Sequence, residues 1–276
     1  MKLIIIFSLS LISCASAVAQ NNPKPKTTQT PPVTYGARGK FGIADAQLFD
    51  TYLKAIEGVG TSSKELLAEQ SLKSYMMPPR KMGAAANADC YAIMSAMEFY
   101  VNLNSNYKDN LSPDFIRLNQ PKGTIEENLG FLITNGTISA AILPYESATM
   151  TPSVNAAVRY KITNYLKLFQ PTTRPQQKLY DLRKAITRGN PVIVELQVTN
   201  EFKKLRQTRV WNAAEGDKMS AGTQYVVVVG YDENRKMVEV LNSWGREWAS
   251  GGYVWISYDD FGNLASNGFE IGRAHV

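Results

Sequence analysis

The feature that most constrains this chain is a strand pair running directly into Asn242-Ser243-Trp244-Gly245. Tyr225–Tyr231 is rich in β-branched residues and Met237–Leu241 reads as its neighbour. Trp248, Gly252 and Tyr253 follow the Asn-Ser-Trp-Gly run. Two tryptophans bury large apolar surfaces, so asparagine, two tryptophans and two glycines in this order describe a built loop. About 150 residues upstream, Cys90 opens an apolar stripe of Ala92, Ile93, Ala96, Met97 and Tyr100 at helical spacing. A thiol at a helix N-terminus meets unpaired N–H groups and a partial positive charge, which lower its pKa and help hold an oxyanion. A small, inert cysteine in a core helix is the plainer reading of Cys90 taken alone.

The first 75 residues read as export and attachment. Lys2, the apolar run Leu3–Ile12 and Ala17-Val18-Ala19 predict a signal peptide over 1–19, with an apolar core too short to span a bilayer. Leu11-Ile12-Ser13-Cys14 offers a rival cut that would make Cys14 a lipid anchor; release after Ala19 is preferred, giving a periplasmic or extracellular protein. Residues 20–40, rich in Pro, Lys, Thr and Gln, read as a disordered linker. Residues 41–75 read as a helical extension, with one helix over Ile43–Ile56 and a second over Ser62–Leu72. The body then spans 76–270, about the size of one sizeable domain. Residues 271–276, which hold the chain's single histidine, His275, match the translation of a common sequencing adapter and are expected to be foreign to the native chain.

Within the body, Ser112 and Pro113 mark a helix start, Thr124–Asn135 a helix closed by Gly136, and Gln176–Arg188 an amphipathic helix ended by Gly189-Asn190-Pro191. Val192–Val198 reads as a strand. In this order, Asn87-Ala88-Asp89-Cys90-Tyr91-Ala92-Ile93, Leu111-Ser112-Pro113, Pro144-Tyr145 and the Asn242–Tyr253 signature resemble a papain-like (C1 family) cysteine peptidase over about residues 75–262. The resemblance implies an α+β, two-lobe fold: a helical lobe whose long helix carries the nucleophile, an antiparallel β-barrel-like lobe, and a cleft between them. It also implies Cys90 as nucleophile with Tyr91 beside it, Asn242 as the orienter of a catalytic imidazole, and Trp244 and Trp248 as support that shields that hydrogen bond.

Two of the family's chemical roles are empty. Counting back from Gly230-Tyr231, the histidine position holds Gln224, whose amide cannot take a proton at useful pH. The position of the family's oxyanion-hole glutamine holds Ala84. Losing the base costs on the order of a million-fold in rate, and losing one oxyanion donor about 100- to 1000-fold. The resemblance with these vacancies implies a divergent bacterial member, a pseudoenzyme that binds a peptide or protein in the cleft. The alternatives are an active peptidase using an unrecognised base and a purely structural body. No cofactor or metal is implied. The net charge of +6 comes from scattered Lys and Arg, read as a solvated surface, so no nucleic-acid partner is expected.

Overall fold

The computed structural model describes residues 66–84, 87–104, 108–213, 220–272 and 274–275. The signal peptide, the linker, the helix over Ile43–Ile56 and the start of the helix over Ser62–Leu72 lie outside these residues.

One long helix, α1 (Ala88–Asn104), runs through the middle of the molecule. Its expected stripe of five apolar residues is buried, and so are Met94, Phe99, Val101 and even Glu98, leaving no solvent face along the middle of the helix. A helix that is apolar all round belongs inside a core. It packs across the long strand β6 (Thr223–Asp232) on one side and against α2 (Pro113–Asn119) and α3 (Ile125–Thr134) on the other. Local chemistry starts the two shorter helices as the sequence predicts. Ser112 Oγ accepts from Phe115 N at 3.3 Å with Pro113 at the first helical position, and Thr124 with Glu127 forms a reciprocal capping box.

The remaining strands are β1 (Glu69–Ser71), β2 (Lys161–Ile162), β3 (Tyr165–Phe169), β4 (Val192–Gln197), β5 (Val210–Trp211), β7 (Met237–Leu241), β8 (Tyr253–Ser257), β9 (Ala265–Ile271) and β10 (Ala274–His275). Eight of these ten described strands form one sheet, seven in the order β3-β9-β4-β6-β7-β8-β5 and β1 beside β6, antiparallel except for β5 on β8. The helices α4 (Pro175–Thr187), α5 (Asn200–Lys204) and α6 (Tyr258–Leu264) complete this half. The result is the α+β, two-lobe arrangement that the motif order implies.

The eighth strand of that sheet, β1, corrects the helix expected over Ser62–Leu72. Glu69, Gln70 and Ser71 pair antiparallel with Asp232, Tyr231 and Gly230, taking up the edge of β6 where its pairing with β4 ends. Pairing needs close approach: a Cβ at Gly230 would stand 2.8 Å from the Gln70 carbonyl oxygen. Tyr231 then locks the junction, its hydroxyl donating to Leu67 O at 2.9 Å and sharing a 2.8 Å hydrogen bond with Thr187 Oγ1. The Gly230-Tyr231 pair therefore has a packing reason of its own.

At the end of the chain, Ile271 pairs with Tyr165 and is fully buried, while Ala274 and His275 pair through the backbone with Ile162 and Lys161. Just before it, Glu270 is fully buried and accepts from Arg188 Nη2 at 2.7 Å and Asn190 Nδ2 at 2.6 Å. Asn190 Oδ1 in turn accepts from Tyr100 Oη at 3.1 Å, tying α1 to β9. Removing one member of such a network leaves buried charge and amide unmatched. Glu270→Ala should therefore lower the unfolding free energy by about 3–5 kcal/mol in urea titration, and a loss under about 1 kcal/mol would contradict this role.

Candidate active site

The site is assembled by three local devices. Asn242 follows β7 directly, its backbone N–H donating to Gly252 O at 3.0 Å. The segment leading into α1 is laced to the same loop: Gly245 N donates to Arg80 O at 2.7 Å and Met82 N to Ser243 O at 2.8 Å. Gly252 has φ +90°, and a Cβ there would stand 2.5 Å from Pro79, so only glycine lets the two segments close. The segment entering α1 and the Asn-Ser-Trp-Gly loop are thus one structural unit.

On the sheet side, Gln224 and Asn242 meet. Gln224 Nε2 donates to Asn242 Oδ1 at 2.8 Å, and Ser243 N donates to the same oxygen at 2.7 Å. Both side chains are buried. Asn242 Nδ2 is buried and has no hydrogen-bond partner among the described residues. Gln224, the residue reached by counting back from Gly230-Tyr231, thus faces Asn242 and presents an amide to it. Trp248 is buried with its ring edge-on to Trp244 and Phe202, and its Nε1 donates to Phe202 O at 2.8 Å. Trp211 joins this cluster against Phe202. Trp248 is a core residue, whereas Trp244 is half-buried and pairs through Lys81 with the incoming segment.

On the helix side, Cys90 is 1% exposed. Its surroundings are residues that the sequence reading did not single out. Asn128 Nδ2, from α3, donates to Asp89 Oδ2 at 2.6 Å and lies 3.8 Å from Cys90 Sγ. Burial pushes the Cys90 thiol well above its ordinary value, and the charges of Asp89 and Asp114 add to this. Burial also pushes the Asp89 carboxyl up. Asp89 was legible as the residue before Cys90; Asn128, 38 residues further on, carried no signal. Tyr91 is buried against Tyr145, with ring centroids 6.0 Å apart. Ala84 is exposed in a turn and its methyl has nothing to donate to an oxyanion. Among the described residues, no cluster of three or more His, Cys, Asp or Glu is placed to hold a metal ion, and no helix is long and apolar enough to cross a membrane.

Comparison with known proteins agrees with this geometry. The model of the papain family cysteine proteases matches residues 120–269, more than half of the sequence. The chain belongs to that family. Ananain of Ananas comosus is 26% identical over 141 residues, 50% of this chain and 38% of that protein. Gamete and mating-type specific protein A of Dictyostelium discoideum is 25% identical over 208 residues, 71% of this chain and 44% of that protein. The chain thus spans less than half the length of these curated relatives. Among solved structures, xylellain, a cysteine protease from Xylella fastidiosa, superposes with a TM-score of 0.61 at 20% identity over 86% of this chain and 97% of that one. Procathepsin L 3 of the Tenebrio molitor larval midgut gives 0.64 at 19% identity over 82% of this chain and 78% of that one. These likenesses establish the papain-like fold.

The raised thiol has a consequence for stability. A group held protonated by folding contributes stability that is complete below its unfolded pKa and is lost as pH rises towards its folded one. Between the ordinary thiol value of 9.0 and about pH 10, where tyrosines begin to ionise, wild type should lose up to about 1.4 kcal/mol per pH unit relative to Cys90→Ala. Parallel pH profiles for the two proteins in urea titration would contradict a buried, protonated thiol.

Proposed function

We propose that this chain is an exported, catalytically degenerate member of the papain family that holds a peptide or protein in its inter-lobe cleft without cutting it. The observation that carries the reading is the Gln224–Asn242 hydrogen bond. In the family resemblance, the Asn242 oxygen orients an imidazole; here an amide N–H donates to it instead, and that amide has no basic nitrogen. Export rests on residues 1–19 and the choice between release and a Cys14 anchor on the two cut sites described above.

Asp89, the residue before Cys90 and the carboxylate whose charge acts on the thiol most strongly, is the candidate alternative base. Magnitude decides against it. With ordinary values of 3.8 for the carboxyl and 9.0 for the thiol, moving the proton to Asp89 is uphill by about 7 kcal/mol, and it would leave a thiolate buried beside other carboxylates. Ala84 supplies no side-chain donor to recover that cost at the oxyanion. The purely structural reading draws on the same burial of Cys90, and ligand binding separates it from the cleft-binding one.

Incubation with a broad peptide library followed by mass spectrometry tests the proposal. Peptides retained on the wild-type protein should be recovered intact. Cleavage that disappears in Cys90→Ala would overturn the non-catalytic reading, and a library from which nothing is retained would leave only a structural body.

A further inference from the structure

A concavity lined by neither Cys90 nor Gln224 lies between two loops. It has a volume of about 740 Å³ and takes Arg206, Gln207 and Arg209 from the loop between α5 and β5, with Arg246, Glu247 and Ser250 from the loop after Asn242-Ser243-Trp244-Gly245. The two loops are fastened together. Ala249 N donates to Leu205 O at 3.0 Å, Arg206 and Ala249 form a parallel bridge, and Trp255 N donates to Arg209 O at 2.9 Å. Beneath them the Trp248 indole is hydrogen-bonded to Phe202 O. The three arginines thus stand on a frame fixed by backbone hydrogen bonds and a buried aromatic cluster.

Their guanidinium groups are largely uncommitted. Among the described residues, Arg206 donates only to the neighbouring Leu205 carbonyl, at 2.9 Å, and neither Arg209 nor Arg246 is hydrogen-bonded or ion-paired through its side chain. Glu247, the one carboxylate lining the concavity, is ion-paired with none of them. This contrasts with the other side of Arg209, where a concavity of about 250 Å³ contains Lys73 already paired with Glu239 at 2.5 Å and set 4.2 Å over the Tyr253 ring. Three guanidinium forks around one hollow with a single carboxylate leave unmatched positive charge, and arginine forks bind phosphate and sulfate oxygens bidentately.

From this we infer that the Arg206–Arg209–Arg246 concavity is a binding site for a phosphate- or sulfate-bearing ligand. The hollow is larger than a single oxyanion needs, so the group it takes is carried on a larger molecule or repeated along a polymer. Repetition raises affinity through effective concentration without new contacts.

Calorimetric titration of the full chain with inorganic phosphate, and separately with a sulfated polysaccharide, at constant ionic strength tests this. The expected result is millimolar binding of phosphate, tighter binding of the polymer, and about tenfold or greater weakening of both in the Arg209→Gln/Arg246→Gln double variant. Lys122→Gln, an exposed change between α2 and α3, should leave both unchanged. Polymer binding lost in the double variant without measurable phosphate binding would still support the site and name linked anions as its ligand. No binding of either probe would overturn the inference, as would equal loss in Lys122→Gln. The three changed positions are solvent-exposed, and a thermal melt of each variant confirms folding.

Discussion

A side-chain amide neither gains nor loses a proton near neutral pH, and in this protein an amide fills the hydrogen-bond position that faces Asn242. Much of the site's chemistry follows from that constraint. With an amide facing Asn242, the described surroundings of the Cys90 thiol favour its neutral form. The N-terminus of α1 pulls towards thiolate, an effect worth up to about 2 kcal/mol in partly buried geometries. Burial above all, and the charges of Asp89 and Asp114 after it, pull the other way and push the thiol well above its ordinary value.

The frame around Cys90 is held by contacts of its own. Helix α1 is enclosed through its middle, with Glu98 completely buried, ion-paired to Arg80 and accepting from Leu111 N at 2.5 Å. The Arg80–Met82 segment is laced to Ser243 and Gly245. At the far end Tyr100, Asn190, Arg188 and Glu270 join helix to sheet. None of these interactions depends on a proton moving at Cys90. The papain-like body is thus held together independently of any reaction at Cys90, which is why fold alone does not fix activity.

The parts of the structure written in local chemistry were the parts legible in the sequence. Val226–Val229 announce β6, Ser112 and Thr124 announce their helices by capping, and Gln224 was placed opposite Asn242 by counting from Gly230-Tyr231. What stayed hidden depends on distant partners. Glu69-Gln70-Ser71 is polar and carries no alternating pattern, and it becomes a strand because Gly230 lets it dock on β6. Met94 and Phe99 fall outside a single stripe because α1 has partners on several sides. Asn128 reaches Asp89 and Cys90 only through the packing of α3 on α1. The basic residues read as scattered in the sequence because Arg206 and Arg209 meet Arg246 only where Ala249 bonds to Leu205.

The central claim is that an intact framework surrounds a missing imidazole. It is tested most directly by the thiol pKa of Cys90, taken from the pH dependence of alkylation in the wild type and in Gln224→His. The account predicts a wild-type reactivity that keeps rising above pH 9 and a fall of several pKa units once a ring replaces the amide at Asn242. A wild-type thiol that already reacts as thiolate below pH 7 would contradict it.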